Sequence, residues 1–203
     1  MQSESESLRL FVAIRVPDSV KAALGSVQTE LAAVLPEKST AWTRPDAMHL
    51  TLRFLGRVED RRVAELMERL QAGLAGFGNL DLLCERLGCF PDVRFPKVVW
   101  AGVHDTGDRL QTLRRRVVEL AAEFAEKPAE KRFEGHITLA RPKSITRRDA
   151  ARLAQFVEAA VERQFGLWSC SEVELVRSEL LPQGSRYTTL AAFRLSARDT
   201  NQY

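Results

Sequence analysis

HLTLRFLG at His49–Gly56 and HITLAR at His136–Arg141 carry the same tetrad, His-x-Thr-Leu, at two distant places in one chain. In an extended strand, side chains alternate between faces. His49 and Thr51 therefore share one face while Leu50 and Leu52 share the other, and His136 and Thr138 against Ile137 and Leu139 repeat the pattern. Each segment reads as a strand with a polar, reactive face above an apolar one. The tetrads contain two of the three histidines in the chain. One such match is commonplace, but two in strand-like settings read as the two halves of one active site. The third histidine, His104, has no threonine two residues on and ends a strand-like run beside Asp105, which gives it a surface or capping role.

Working outward from the tetrads, Leu8 to Val16 reads as a strand, and Pro17-Asp18 opens a helix reaching about Leu35. Pro36 to Asp46 reads as a loop before the first tetrad strand, which continues through Gly56. A helix over about Asp60 to Leu74 is followed by strands at Leu80–Phe90 and Val98–Val103, separated by a loop holding Pro91 and Pro96. The second round is a helix from about Thr106 to Glu126, the second tetrad strand to Ala140, and a helix from Thr146 to about Phe165. Strands near Ser171–Leu181 and Tyr187–Leu195 close the chain. Two comparable sets of elements, each with one tetrad strand, imply a duplicated α+β fold with pseudo-twofold symmetry. Its short connections favour antiparallel pairing.

The chain has 203 residues, 45% of them hydrophobic, which suits one substantial globular domain. Residues 1–7 are expected to be disordered, 8–197 to form a single domain, and 198–203 to be a tail. The polar opening has neither the basic start nor the apolar centre of a secretory signal, and no run could span a bilayer. Cys84, Cys89 and Cys170 are odd in number and lack ligand-like spacing, so buried thiols in a reducing cytoplasm are expected, with neither a disulfide framework nor a zinc site. The net charge of +3 favours phosphate-bearing partners without marking a nucleic-acid coat. Arg114, Arg115 and Arg116 point different ways on a helix and read as a solvated surface, as do Arg147 and Arg148.

Histidine titrates near neutrality, so one imidazole can accept a proton while a second donates one. A threonine hydroxyl on the same face can bond a phosphoryl oxygen as charge develops. Brought together by a pseudo-twofold axis, the four side chains would surround an anion-sized hollow suited to a phosphodiester. No carboxylate cluster or His/Asp metal spacing accompanies them, and catalysis without metal or cofactor is expected. Arg53 has the parity of His49 and Thr51 and is a candidate phosphate-binding cation. Strict alternation puts Arg141 on the face opposite His136, so it reaches the cleft only if the strand ends, twists or bulges before Pro142. Phe11 on the first strand is a candidate for base stacking, against the ordinary core role of a phenylalanine.

These residues, with RLFVAI near the start, FPKVVWAGV in the middle and SELLPQGSRYTTLAAFRL near the end, resemble the two-histidine (2H) phosphoesterase superfamily. Within it they are most similar to the bacterial RNA 2′,3′-cyclic phosphodiesterases of the LigT type. The resemblance implies two antiparallel sheets with outer helices around a cleft lined by the tetrads, in lobes that need not be the sequence halves. It implies a monomer acting on RNA that ends in a 2′,3′-cyclic phosphate, or on a cyclic nucleotide, giving a 2′-phosphate. By the same resemblance His49 protonates the leaving oxygen, His136 activates water, and Thr51, Thr138 and Arg141 hold the phosphate. Where the family usually has proline before the second histidine, this chain has Gly135, which removes a rigid start to that strand. Ligation or cleavage of 2′-5′ linkages and hydrolysis of small cyclic nucleotides would use the same cleft. An RNA-end binding module with little turnover is the alternative of another class, and it would need no matched acid and base.

Overall fold

Alternation of apolar and polar residues along the strands, set against i, i+3, i+4 spacing in the helices, sorts the chain into two layers. The computed structural model describes residues 6–36, 38, 40–182 and 184–196. In chain order the strands are β1 (Ser7–Arg15), β2 (Thr40–Trp42), β3 (His49–Glu59), β4 (Leu80–Phe90), β5 (Val98–His104), β6 (His136–Pro142), β7 (Gln164–Cys170), β8 (Glu172–Leu181) and β9 (Gly184–Arg194). The helices are α1 (Asp18–Ala32), α2 (Val63–Leu74), α3 (Arg109–Leu120) and α4 (Arg147–Ala159). The α+β reading holds, with two additions. β2 lies in the stretch read as a loop, and β7 takes the end of the stretch read as the last long helix.

All strand pairings are antiparallel, in the order β7-β4-β5-β6-β3-β1-β8-β9, with β2 added along the end of β6. The two sheets expected from sequence are thus two four-stranded wings of one continuous sheet. They meet where β3 and β6 lie side by side, and the register there contains a single pair, Leu50 with Ile137. The wings interlace in sequence. β4, from the first half of the chain, pairs with β5 in the wing of the second tetrad, and β8, from the second half, pairs with β1 in the wing of the first.

One face of the sheet carries the core. Leu10, Val12 and Ile14 of β1, Leu50 and Leu52 of β3, and Ile137 and Leu139 of β6 are buried with Val20, Leu24, Val27 and Leu31 of α1 and Leu66, Leu70 and Leu74 of α2. α4 begins at a capping box in which Thr146 Oγ1 accepts the Asp149 N–H at 3.2 Å and Asp149 Oδ2 accepts the Thr146 N–H at 3.0 Å. The three cysteines are unpaired and buried, and burial pushes their thiols up to about 12, 12 and 11 for Cys84, Cys89 and Cys170. They stay protonated and act as small apolar side chains. No helix among the described residues is long and apolar enough to cross a membrane.

Ser7, expected to belong to a disordered start, is instead the first residue of β1. Ser7 pairs with Glu59, and the Glu6 carbonyl accepts the Asp60 N–H at 2.9 Å, because β3 runs on to Glu59 and offers β1 a longer edge. Residues 1–5 and the expected tail at 198–203 lie outside the described residues. Since Leu50 is fully buried at the junction of the wings, Leu50→Ala should lower stability by about 2–5 kcal/mol in a denaturant titration. A loss under 1 kcal/mol would mean that the junction is not a packed part of the core.

Candidate active site

The other face of the sheet is the cleft, and two β-bulges decide what it presents. On β3, Ala13 is opposite Thr51 and Val12 is opposite Arg53, so Leu52 is the extra residue. On β6, Trp100 is opposite Thr138 and Val99 is opposite Ala140, so Leu139 is the extra residue. A bulge of this kind turns two successive side chains to one face and reverses the alternation beyond it. Leu52 with Arg53, and Leu139 with Ala140, accordingly all face the buried layer, whereas Phe54 and Arg141 turn outward.

This corrects the parity argument at both arginines. Arg141 lies on the face of His136 and Thr138 because the strand bulges before it, is exposed, and its side chain makes no hydrogen bond or ion pair among the described residues. Arg53 is 8% exposed, donates from Nη2 to the Lys127 carbonyl, and lines a separate hollow with Val118, Ala122 and Lys127. It is therefore no cleft cation. Phe11 is on the cleft face but only 2% exposed, covered by the rings of His49, Tyr187 and Phe54, so it offers no open surface to a base. Phe54, 59% exposed and directly opposite Phe11, is the open ring. A bulge leaves no mark in a single sequence, and alternation alone assigns Phe54 to the wrong face.

The two histidines are held alike. His49 donates from Nδ1–H to the Ala47 carbonyl, and His136 donates from Nδ1–H to the Glu134 carbonyl, each at 2.8 Å. A carbonyl can only accept, so the proton is fixed on Nδ1 and Nε2 of each ring keeps its lone pair while the ring is neutral. Each ring also packs against aromatic neighbours. His49 lies 4.7 Å from Phe11 and 5.1 Å from Tyr187 between centroids, and His136 lies 5.0 Å from Phe90 and 6.2 Å from Trp100. Thr51 and Thr138 are half-buried on the same face, opposite Ala13 and Trp100.

Burial is the main cause of a lowered pKa at both imidazoles. His49 falls to about 4, with the charges of His136 and Arg141 adding to burial against the bond to Ala47. His136 is also lowered from its ordinary value, but the Glu134 carbonyl and the carboxylates of Glu130 and Glu134 oppose burial there, while Arg141 assists it. The charges of both His136 and Arg141 are felt at His49, so the three groups belong to one electrostatic site. Beside His49 lies a hollow of about 280 Å³ lined in part by Phe11, Arg15, Lys21, Tyr187 and Thr189. Arg15, opposite His49 in the β1–β3 register, is a cleft-side cation that the sequence reading passed over, although its parity with Ala13 could have found it. Among the described residues no three His, Cys, Asp or Glu side chains are grouped to hold a metal ion.

His104 sits outside this cluster, with Nε2 3.6 Å from Glu85. Arg114 and Arg116 are less free than a solvated helix face implies. Arg114 donates to the Glu130 carbonyl at 2.6 Å and stacks over Phe133, and Arg116 donates to the Gly73 carbonyl at 2.8 Å. Gly135 has a packing reason, since a Cβ there would meet the Val103 carbonyl oxygen of β5, while the Val103 N–H bonds the Gly135 carbonyl at 2.8 Å. Close approach of β5, and not a rigid ring, sets the start of β6.

Two imidazoles with free Nε2 atoms, matched threonines and an arginine whose side chain has no partner among the described residues thus lie on one face of the sheet. The family model described as "LigT like Phosphoesterase" matches residues 14–100 and 102–187, one tetrad in each stretch. The chain is 36% identical over 203 residues to an RNA 2′,3′-cyclic phosphodiesterase of Thermus thermophilus, covering 93% of this chain and 90% of that protein. It is 32% identical over 186 residues to one of Archaeoglobus fulgidus, covering 92% and 99%. The crystal structure of the Thermus thermophilus protein TT0787 superposes with a TM-score of 0.76 at 29% identity, covering 93% of this chain and 98% of that one. The chain belongs to the LigT-like phosphoesterase family.

Two measurements probe the site. Gly135→Ala forces β5 and β6 apart and should cost about 1–3 kcal/mol, with kcat/KM falling alongside Tm; unchanged values would remove the close approach as a constraint. The unfolded chain protonates His49 near 6.5, whereas the fold resists until about 4. Protons thus favour the unfolded state in that window, and stability should fall as pH drops from 6.5 toward 4, by up to about 3 kcal/mol. His49→Gln should flatten this part of a stability–pH curve. An equally steep curve would mean that His49 is not held neutral.

Proposed function

We propose that this chain hydrolyses RNA 2′,3′-cyclic phosphate ends to 2′-phosphate ends without a metal, using His49 and His136 as an acid and base pair. The observation that carries this reading is the matched anchoring of both imidazoles through Nδ1, which leaves two Nε2 atoms to exchange protons on neighbouring strands. Water loses a proton to one Nε2 as its oxygen bonds phosphorus. The P–O3′ bond breaks, and the other imidazole delivers its proton to the leaving 3′ oxygen. Thr51, Thr138 and Arg141 hold the non-bridging oxygens as charge builds on them. The reading is further supported by the names of the Thermus and Archaeoglobus relatives. A reducing cytoplasm fits the three unpaired, buried thiols.

Family resemblance makes His49 the acid and His136 the base. The electrostatics of the free protein lean the other way, because burial lowers His49 to about 4 while Glu130 and Glu134 favour a proton on His136. We give the resemblance precedence for the complex, since a bound phosphodiester anion adds a negative charge that favours imidazolium at either ring. Near neutrality both rings are neutral before substrate arrives, so the proton enters with the anion.

The decisive experiment is turnover of an oligoribonucleotide ending in a 2′,3′-cyclic phosphate, with EDTA present. Conversion to the 2′-phosphate is expected, reduced at least ~10²-fold in both His49→Ala and His136→Ala. Tight binding without turnover would sink the hydrolase reading. Both free-protein pKa values lie below 6.5, so kcat/KM should be bell-shaped with its maximum between about pH 4 and 6.5. Above that range the acid is lost, and below it the base is lost. A single sigmoid would exclude this pair, and a maximum above pH 7 would mean that the two rings are not lowered as burial implies.

A further inference from the structure

The bulge at Leu52 takes Arg53 off the cleft and sets it in a hollow of about 300 Å³ on the opposite face of the sheet. Arg53 is the one buried residue of the lining, 8% exposed, while Ala122, Glu126 and Lys127 stand open at the rim. Ala122, Ala125 and Ala129 leave room there that longer side chains would fill. Nη2 of Arg53 is committed to the Lys127 carbonyl, but its Nε is buried without a partner and its Nη1 makes no hydrogen bond among the described residues. Arg114 repeats the pattern, since it holds the Glu130 carbonyl and leaves its own buried Nε unpartnered. The charge of Arg114 is felt at Arg53, and neither guanidinium forms an ion pair among the described residues. Glu126 lines the hollow too, yet its carboxylate lies against Gly56 and pairs with neither. A guanidinium cannot escape burial beside a like charge by losing its proton. Only a counter-ion relieves it.

We propose that this hollow is a second oxyanion site, separate from the cleft, which takes a phosphate-sized anion on Arg53 with Lys127 at its rim. The site does not depend on the phosphodiesterase reading. Walls of alanine, valine and proline shield one side of such an ion from water, which strengthens a charge-assisted bond from a planar guanidinium. Arg53 and Lys127 against Glu126 leave the lining net positive. Arg53 stands on β3 and Lys127 on the segment that leads to His136, so an ion held by both ties the two tetrad strands together from the helical side.

The test reads Tm in inorganic phosphate against chloride at equal ionic strength, in protein carrying His49→Ala and Arg141→Ala so that the cleft lacks an imidazole and its cation. Titrated to about tenfold above half-saturation, phosphate should raise Tm by about 3–6 °C. The rise should vanish when Arg53→Gln is added. It should vanish equally with Ala122→Phe, which fills the mouth of the hollow and leaves Arg53 in place. No rise in the parent protein, or a rise that survives Arg53→Gln, overturns the site. A rise lost in Arg53→Gln but kept in Ala122→Phe makes Arg53 only a clamp on the Lys127 carbonyl, and overturns it too. If Arg53→Gln fails to fold, Ala122→Phe alone decides.

Discussion

The chemistry of the cleft depends on one extra residue in each of two strands. With strict alternation, Arg53 would stand beside Thr51, Phe54 would enter the core, and Arg141 would be lost to the helical side. The bulges at Leu52 and Leu139 reverse each assignment without changing a residue. A bulge breaks a ladder, and the polar groups it frees must find partners. At Leu139 the carbonyl accepts the Thr43 N–H at 2.9 Å and Gln28 Nε2 at 2.8 Å, and Gln28 also reaches the Thr43 carbonyl. Helix α1 and the segment after β2 thus fix the irregularity that aims Arg141. Leaving such a buried carbonyl unbonded would cost about 1–3 kcal/mol.

The second constraint is electrostatic. Burial among aromatic rings lowers the pKa of both imidazoles, which under the proposed function would let the site take up an anion and a proton together. The two sides are tuned differently. The stretch leading to His136 carries Glu130 and Glu134, and arginines from elsewhere tie it down: Arg53 on the Lys127 carbonyl, Arg114 on the Glu130 carbonyl, and Arg86 on the Glu134 carboxylate at 2.6 Å. Arg53, misplaced as a phosphate ligand, instead anchors the segment that carries the acidic neighbours of His136.

What the sequence disclosed follows the range of the interactions involved. The tetrad strands, β4 and the helical cores follow from local periodicity, and β4 spans Leu80–Phe90 as read. β2 escaped notice because three residues in a Pro-flanked segment show no period, and only pairing with the end of β6 makes them a strand. β7 went unread, its first two residues given to the helix and the rest left unassigned, because an edge strand with Leu167 exposed lacks a clean apolar face; the helix in fact ends at Ala159. That the two tetrads lie side by side was legible because their repetition marks them independently of geometry. Which rings lie open and which arginine faces the cleft were not, since both depend on the register between strands distant in sequence.

The interlacing of the wings bears on how such a molecule is put together. Each half of the chain runs from a first strand through a helix to a tetrad strand and a second helix, and then sends a strand, β4 or, after β7, β8, into the opposite half's wing. Helix α1 likewise packs on β6 and β7, and α3 on β3. Two copies of one such half, exchanging that strand across a twofold axis, would close the six central strands β4-β5-β6-β3-β1-β8 and bring one histidine from each copy to the same cleft, with β7 and β9 added outside them by the second half alone. The single chain therefore has the architecture of a strand-swapped dimer fused end to end. A single chain can carry an arginine at one of the two equivalent places and a phenylalanine at the other, where a symmetric pair would have to carry the same residue twice.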